Sequence, residues 1–421
     1  MTNRPSVSKS FQSSGNPTAK AVSTKRIDWI DKLKAFAFFL VIVGHFDIPS
    51  GLKLWLYSFH MPLFLFITGM TFNIEKTCQT GFLSFFKKQA KRILVPYFWL
   101  QMFSIAIGYA KNLLITGKDT PVDKYLIGIF CSNANLVPSA SLPSYYAVLL
   151  FFVLMGLWAA IKITSANKGP LFALLVSLSL VSILTERVHL PCHLNVVPTG
   201  MLLVLIGRLL MNCYTKHREK IHSLSKGVYL AICLTLFIAG YFLSAYNGRI
   251  SLFKNFYGNE YIYFVICSII TSVAFVMLVL LIPPSKLFSF IGQNTFFMLC
   301  LHYPLILVAE AIVTKKYITN PIFIAVGSVL CLALLTIAVK ICNQLCPYLC
   351  GMPPKAETLP YKLCKFAVVA VALSSPCLFI LQNMANRPSI KIIIPVFILL
   401  VFAIERILTS FMPFMFCSEK K

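Results

Sequence analysis

Twelve apolar stretches of about twenty residues recur along the chain, near residues 29–48, 53–73, 93–115, 144–163, 169–186, 196–212, 227–245, 261–282, 287–313, 320–342, 366–384 and 391–409. A helix rises 1.5 Å per residue, so about 20 apolar residues cross the hydrocarbon of a bilayer. In lipid every backbone N–H and C=O must find its partner inside the protein, which restricts such stretches to helices. The expected fold is therefore all-α: a polytopic transmembrane helical bundle of about 10–12 membrane helices. Composition agrees, with 58% hydrophobic and 12% charged residues among 421.

The formal net charge of +25 would suggest nucleic acid in a soluble protein. Here Lys and Arg cluster between apolar runs, and neither a continuous basic helix nor an aromatic platform accompanies them. Membrane topology explains most of them, with the remainder free to attract anionic lipid headgroups or an anionic cofactor. With the N-terminus cytosolic, roughly 27 of the 38 basic residues fall on the cytosolic side, as the positive-inside rule requires. Residues 1–25 are rich in Ser, Thr, Asn and Lys and read as a disordered cytosolic tail. Residues 26–345 form the expected membrane domain, and residues 346–421 a C-terminal membrane hairpin with a short tail.

The first apolar stretch is not uniformly apolar. Lys34 and His45 are eleven residues apart, close to three helical turns, so both project from nearly one face, and Asp31 lies on the same stripe. Ionisable groups in lipid are costly, so this stripe must turn inward, with a cation low and an imidazole about 16 Å higher. Gly44 lets a neighbour or a substrate approach the imidazole. His60, in Phe59-His60-Met61-Pro62, follows a very short turn, so the first two helices are antiparallel neighbours with His45 and His60 at similar depth. Pro62 frees a carbonyl near His60. For His60, capping at headgroup level competes evenly with a role in a shared site.

These segments carry a resemblance. Asp31-x-x-Lys34-Ala35, Val41 to His45 and Phe59 to Phe64 resemble the acyltransferase 3 family, in its fucose 4-O-acetylase-like and polysaccharide O-acyltransferase branch. The family's basic-residue-then-His motif falls on Lys34 and His45. Lys88 to Tyr97 resembles the family's entry into its third helix, and Ile291 to Pro304 a late helix. Where many relatives carry Trp-Phe-Leu, this chain has Pro143-Ser144-Tyr145-Tyr146. The expected helices exceed the family core, which makes the last two an appended hairpin.

The resemblance implies an O-acyltransferase that moves an acyl group, usually acetyl, from acyl-coenzyme A to a hydroxyl of a cell-envelope carbohydrate or lipid-linked glycan. It places the protein in a bacterial inner membrane. Arg26, Lys34, Lys88, Lys91 and Arg92, all at the cytosolic mouth, are the expected holders of the acetyl-CoA phosphates. His45, His60, Lys34 and Asp31 form the expected catalytic set. His45 acts either as general base on the sugar hydroxyl or as nucleophile through an acyl-imidazole. His302, Asn294 and Tyr145 are expected at the acceptor. A core histidine bonded to a neighbouring helix is the plainer account of His302, and helix capping that of Asn294.

The rival class is an exporter of polysaccharide or a small solute, but internal repeats are not visible. A sensor that binds an acyl carrier without turnover is a third possibility. Most of the fourteen Cys lie in apolar runs and behave as small hydrophobes. Cys131 and Cys192 are candidates for the outer side, where nothing in the sequence supports a disulfide between them. Cys346 and Cys350 lack a His partner, and His189-Leu-Pro-Cys192-His193 lacks enough ligands, so no metal is expected.

Overall fold

The computed structural model describes residues 27–112, 121–132, 143–188, 190–312, 319–353, 358–383 and 390–416. Arg26, His189 and the tail 1–25 lie outside the described residues. Each of the twelve apolar stretches contains helix among the described residues, and the one near 287–313 is broken. Among the described residues nine helices are long and apolar enough to cross a membrane, or ten with one bent pair taken as a single span. The first helix carries its polar stripe, and Lys168–Leu184 is shorter. Strand pairing among the described residues is limited to a bridge between Ser251 and Phe256.

Helix α1 (Asp28–His45) begins with Asp28 and Asp31 in its first turn, where the helix dipole favours carboxylates. After Phe46 the chain is extended, and Pro49 leads into α2 (Ser50–Thr71). The turn is as short as expected. α3 (Ile74–Gln79) and α4 (Phe82–Gln89) follow, and Ala90–Leu94 winds as a π-helix into α5 (Val95–Lys111). Next come α6 (Val122–Cys131), α7 (Tyr145–Ile163), α8 (Lys168–Leu184), α9 (Val197–His222), α10 (Lys226–Asn247) and α11 (Tyr261–Leu281). α12 (Lys286–Gln293), α13 (Thr295–Ile312), α14 (Pro321–Leu345), α15 (Leu359–Gln382) and α16 (Ile390–Phe411) complete the chain.

Helix α2 lies against α9 at backbone distance. A Cβ at Gly69 would stand 1.9 Å from the Val204 carbonyl oxygen, and one at Gly207 would stand 2.2 Å from that of Phe66. Reciprocal glycines let the two helices meet where dispersion, not solvent exclusion, must hold them. Pro62, inside α2, cannot donate to the carbonyl of Ser58. That oxygen instead accepts the Ser268 hydroxyl of α11 at 2.7 Å, so the vacancy of one helix is filled by its neighbour.

Three expectations change. The single helix over 287–313 is broken at Asn294 and bent by 83°, because Gly292 brings α12 against α1. A Cβ there would lie 2.0 Å from the Asp31 carbonyl oxygen. The expected outer loop near 116–143 contains α6, tied down by the Tyr97 hydroxyl donating to Ile129 O at 2.9 Å. Cys131 and Cys192 are free thiols, the latter donating to Phe130 O, whereas Cys346 and Cys364 form a disulfide across 6.4 Å between Cα atoms.

The α15–α16 hairpin packs on α5. Trp99 donates to Met415 O at 2.8 Å and stacks on Phe416 at 5.6 Å. Lys365 pairs with Glu405 at 2.7 Å and donates to Thr409 at 2.9 Å. Both charged groups are buried.

Candidate active site

A cavity of about 510 Å³ opens among α1, α2, α3, α4, α7 and the α12–α13 bend. Four cations line it: Lys34, Lys76, Lys88 and Arg92. Lys34 reaches it from α1, held 3.4 Å from the buried carboxylate of Asp31. Lys88 and Arg92 are four residues apart on a continuous helical segment, so they share a face, while Lys91 is rotated off it and is not in the lining. The short connection around α3 is fixed by its own caps. Asn73 accepts from the Lys76 N–H at 2.7 Å. From α7, Trp158 Nε1 donates to Thr80 O at 3.0 Å and Lys162 donates to Cys78 O. The wall that presents these cations is therefore built before any ligand arrives.

A second cavity, of about 70 Å³, is lined by His45, Tyr57, His60, Met61, Tyr145, Leu299 and the Ser251–Phe253 turn. Leu299 lines both cavities. His45 ends α1 there, with its ring 5.0 Å from that of His302 and 4.7 Å from that of Tyr303. Phe38 meets the far side of His302 edge-on at 5.7 Å. His60 Nδ1 lies 2.6 Å from Leu56 O and His302 Nδ1 lies 2.7 Å from Leu299 O. A carbonyl can only accept, so each Nδ1 carries the proton and each Nε2 keeps its lone pair in the neutral ring. His302 Nε2 is buried without a hydrogen-bond partner among the described residues.

The roof of this second cavity is a rigid turn. Asn255 adopts a left-handed φ of 48° and its amide donates to Ser182 O at 3.0 Å and Thr185 O at 2.7 Å. Tyr257 donates to Asn255 Oδ1 at 2.7 Å, and burial raises the pKa of that phenol, which keeps it a donor. Asn247 Nδ2 in turn donates to Tyr257 O at 2.8 Å. The turn holds Phe253 5.0 Å from Tyr145 and 5.3 Å from His193.

The structure thus brings Lys34, Lys88 and Arg92 into one cavity, and His45, His60 and Tyr145 into the other. His302 stands behind His45 and outside both linings. Asp31 anchors Lys34 and lines neither cavity. Asn294 sits at the bend, donating to Phe290 O at 2.8 Å and accepting from Asn343 at 3.3 Å, and reaches neither cavity. Sequence reasoning missed Tyr57, Leu299, Tyr303 and the Ser251–Phe253 turn. Tyr57 was accessible, lying one helical turn before His60. Lys34 and His45, on one face of α1, line different cavities, and Leu299 is common to both linings. Among the described residues no three His, Cys, Asp or Glu side chains converge on a metal-sized site.

A family model described as an acyltransferase domain matches residues 27–340, well over half of the chain. No solved structure matches it.

Proposed function

The chain belongs to the acyltransferase 3 family, and from that premise we propose that it transfers an acetyl group from acetyl-coenzyme A to a hydroxyl of a cell-envelope carbohydrate. The family and the apolar helices make it a multi-pass membrane acyltransferase. We further propose a bacterial inner membrane, with the N-terminus and the cationic cavity facing the cytosol. The observation that carries the reading is the division of charge across Leu299: four cations line one chamber and two imidazoles the other.

Coenzyme A is anionic and made in the cytosol. Lys34, Lys88 and Arg92 supply charge-assisted hydrogen bonds to its phosphates, with Arg92 suited to bidentate contact. The larger chamber has the volume for the pantetheine arm, directed toward Leu299. The carbohydrate approaches from the Tyr145–Phe253 side, where aromatic faces suit the apolar C–H face of a sugar ring. His45 removes the proton of the acceptor hydroxyl. The oxygen attacks the thioester carbonyl, the C–S bond breaks, and the proton passes from His45 to the departing thiolate. The hydroxyl of Tyr57 lines the same chamber and is available to the developing oxyanion, while His60, with its proton on Nδ1, offers an acceptor there.

The test is incubation of purified protein with radiolabelled acetyl-CoA and envelope glycan extract. Wild-type protein labels glycan, and His45→Ala at equal protein level loses about 10²–10⁴ of that rate. Undiminished labelling by His45→Ala overturns the proposal. Movement of unmodified glycan across sealed vesicles by the same variant identifies an exporter instead.

A further inference from the structure

Tyr57 and His60, which line the smaller chamber, share a face of α2 with Lys53, at successive steps of four and three residues. Lys53 therefore stands one turn beyond Tyr57, toward the α1–α2 turn, and is within electrostatic reach of His45. A second cation comes from the connection after α10. Arg249 lies two residues before Ser251, which also lines the chamber, and is within electrostatic reach of Tyr57. The backbone on either side of Arg249 is held. Asn247 accepts the Asn259 N–H on its carbonyl at 2.8 Å and the Glu260 N–H on Oδ1 at 2.9 Å, while Ser251 and Phe256 exchange backbone hydrogen bonds of 2.8 and 3.0 Å. Neither cation forms an ion pair among the described residues. The acidic residues closest to them in sequence, Asp47 and Glu260, are exposed and outside the lining. The described lining also lacks any carboxylate or carboxamide to accept from the hydroxyls of a neutral sugar. On the orientation proposed above, both cations lie on the face away from the cytosol. The positive-inside rule places few basic residues there, so topology does not account for them.

We propose that the acceptor is an anionic glycan, and that Lys53 and Arg249 hold a carboxylate or phosphate that it carries close to the hydroxyl to be acylated. The inference rests on the acyl-transfer reading above and names its acceptor class. Arg249 supplies the planar fork that carboxylate and phosphate both match, and Lys53 a point charge on the side of His45. With the anion held at the mouth, the neighbouring hydroxyl is turned toward the imidazoles.

The experiment separates envelope glycan extract by anion exchange into neutral and anionic fractions. Each is offered to the purified full-length protein with radiolabelled acetyl-CoA, in neutral detergent without anionic lipid. Label enters the anionic fraction. Lys53→Gln and Arg249→Gln each raise KM for that fraction by about tenfold or more, the scale of a lost hydrogen bond to a charged group, and leave KM for acetyl-CoA unchanged. Arg249→Lys, which keeps the charge without the fork, falls between. Lys254→Gln, at an exposed cation of the same connection, changes KM by less than about threefold. Capping glycan carboxylates with carbodiimide and methylamine abolishes labelling where the anion is a carboxylate and spares it where the anion is a phosphate. Label confined to the neutral fraction, or an acceptor KM that both glutamine variants leave unchanged, overturns the proposal and leaves the acyltransferase reading intact. So does an effect of the two variants that emerges only when anionic lipid is added, which assigns the cations to headgroups. Absence of label from both fractions with wild-type protein overturns the acyl-transfer reading as well.

Discussion

The rings of His45 and His302 lie 5.0 Å apart, centre to centre, one at the end of α1 and the other inside α13. His302 is fully buried and its Nδ1 is committed to Leu299 O. It therefore packs against His45 from a position fixed by that bond, its Nε2 having no hydrogen-bond partner among the described residues. Replacement His302→Phe retains the ring and removes the nitrogens. It lowers kcat by about 10- to 100-fold through misplacement of His45, with little change in KM for acetyl-CoA. Steady-state kinetics on both substrates check this, and an effect confined to KM would contradict it.

Lys34 and Arg92 reach one cavity from different helices, and Lys91 does not reach it. Lys34→Gln and Arg92→Gln each raise KM for acetyl-CoA by about tenfold or more, the loss of a charge-assisted hydrogen bond of about 1.5–3 kcal/mol. Lys91→Gln changes it by less than about threefold, the scale of a surface charge. Isothermal titration with coenzyme A separates the three, and equal losses would dissolve the distinction.

Gly292 meets the backbone of Asp31 so closely that a methyl group has no room. Gly292→Ala forces α12 away from α1 and destabilises the protein by about 1–3 kcal/mol. The thermal midpoint in detergent falls. Activity falls with it, because the same contact positions Lys34 over the larger cavity. An unchanged midpoint would mean that α12 can move freely, contrary to the contact seen.

Ser268 and Pro62 are predicted to be coupled, since the serine hydroxyl serves the carbonyl that the proline leaves open. Ser268→Ala alone costs about 1 kcal/mol. In a Pro62→Ala background the helix can close its own bond, and the cost of Ser268→Ala shrinks. A double-mutant cycle in thermal stability measures the coupling, and strict additivity would exclude it.

Lys365 and Glu405 form a buried pair that ties α15 to α16. Lys365→Met alone leaves the buried Glu405 carboxylate with only the exposed Arg406, 3.9 Å away, and the Thr409 hydroxyl, and costs up to about 3–5 kcal/mol, whereas Lys365→Met with Glu405→Leu costs much less. Detergent unfolding curves of the single and double variants check the order. A double variant as unstable as the single one would contradict it.

Helices were legible because apolar runs of membrane length have few other solutions, and each of the twelve expected stretches contains helix among the described residues. The grouping of Lys34 with His45 followed from an eleven-residue interval, and that of His45 with His60 from a short turn. The bend at Asn294 was hidden because apolar residues continue on both sides of it, and only the contact of Gly292 with another helix reveals it. The Cys346–Cys364 bond joins residues on either side of a connection whose path no local pattern specifies. The cavities were hidden for a related reason. An empty volume is set by many side chains together, and no local pattern marks Leu299, an ordinary leucine in an apolar run, as lining both cavities.

The separation of the two cavities, with Leu299 common to their linings, also bears on how the bundle holds back ions. A bilayer carrying about 100 mV drives ions with about 2.3 kcal/mol per unit charge, and an open polar duct would let that potential collapse. Keeping the cation-lined cavity and the imidazole-lined cavity as distinct spaces within the bundle breaks up such a duct.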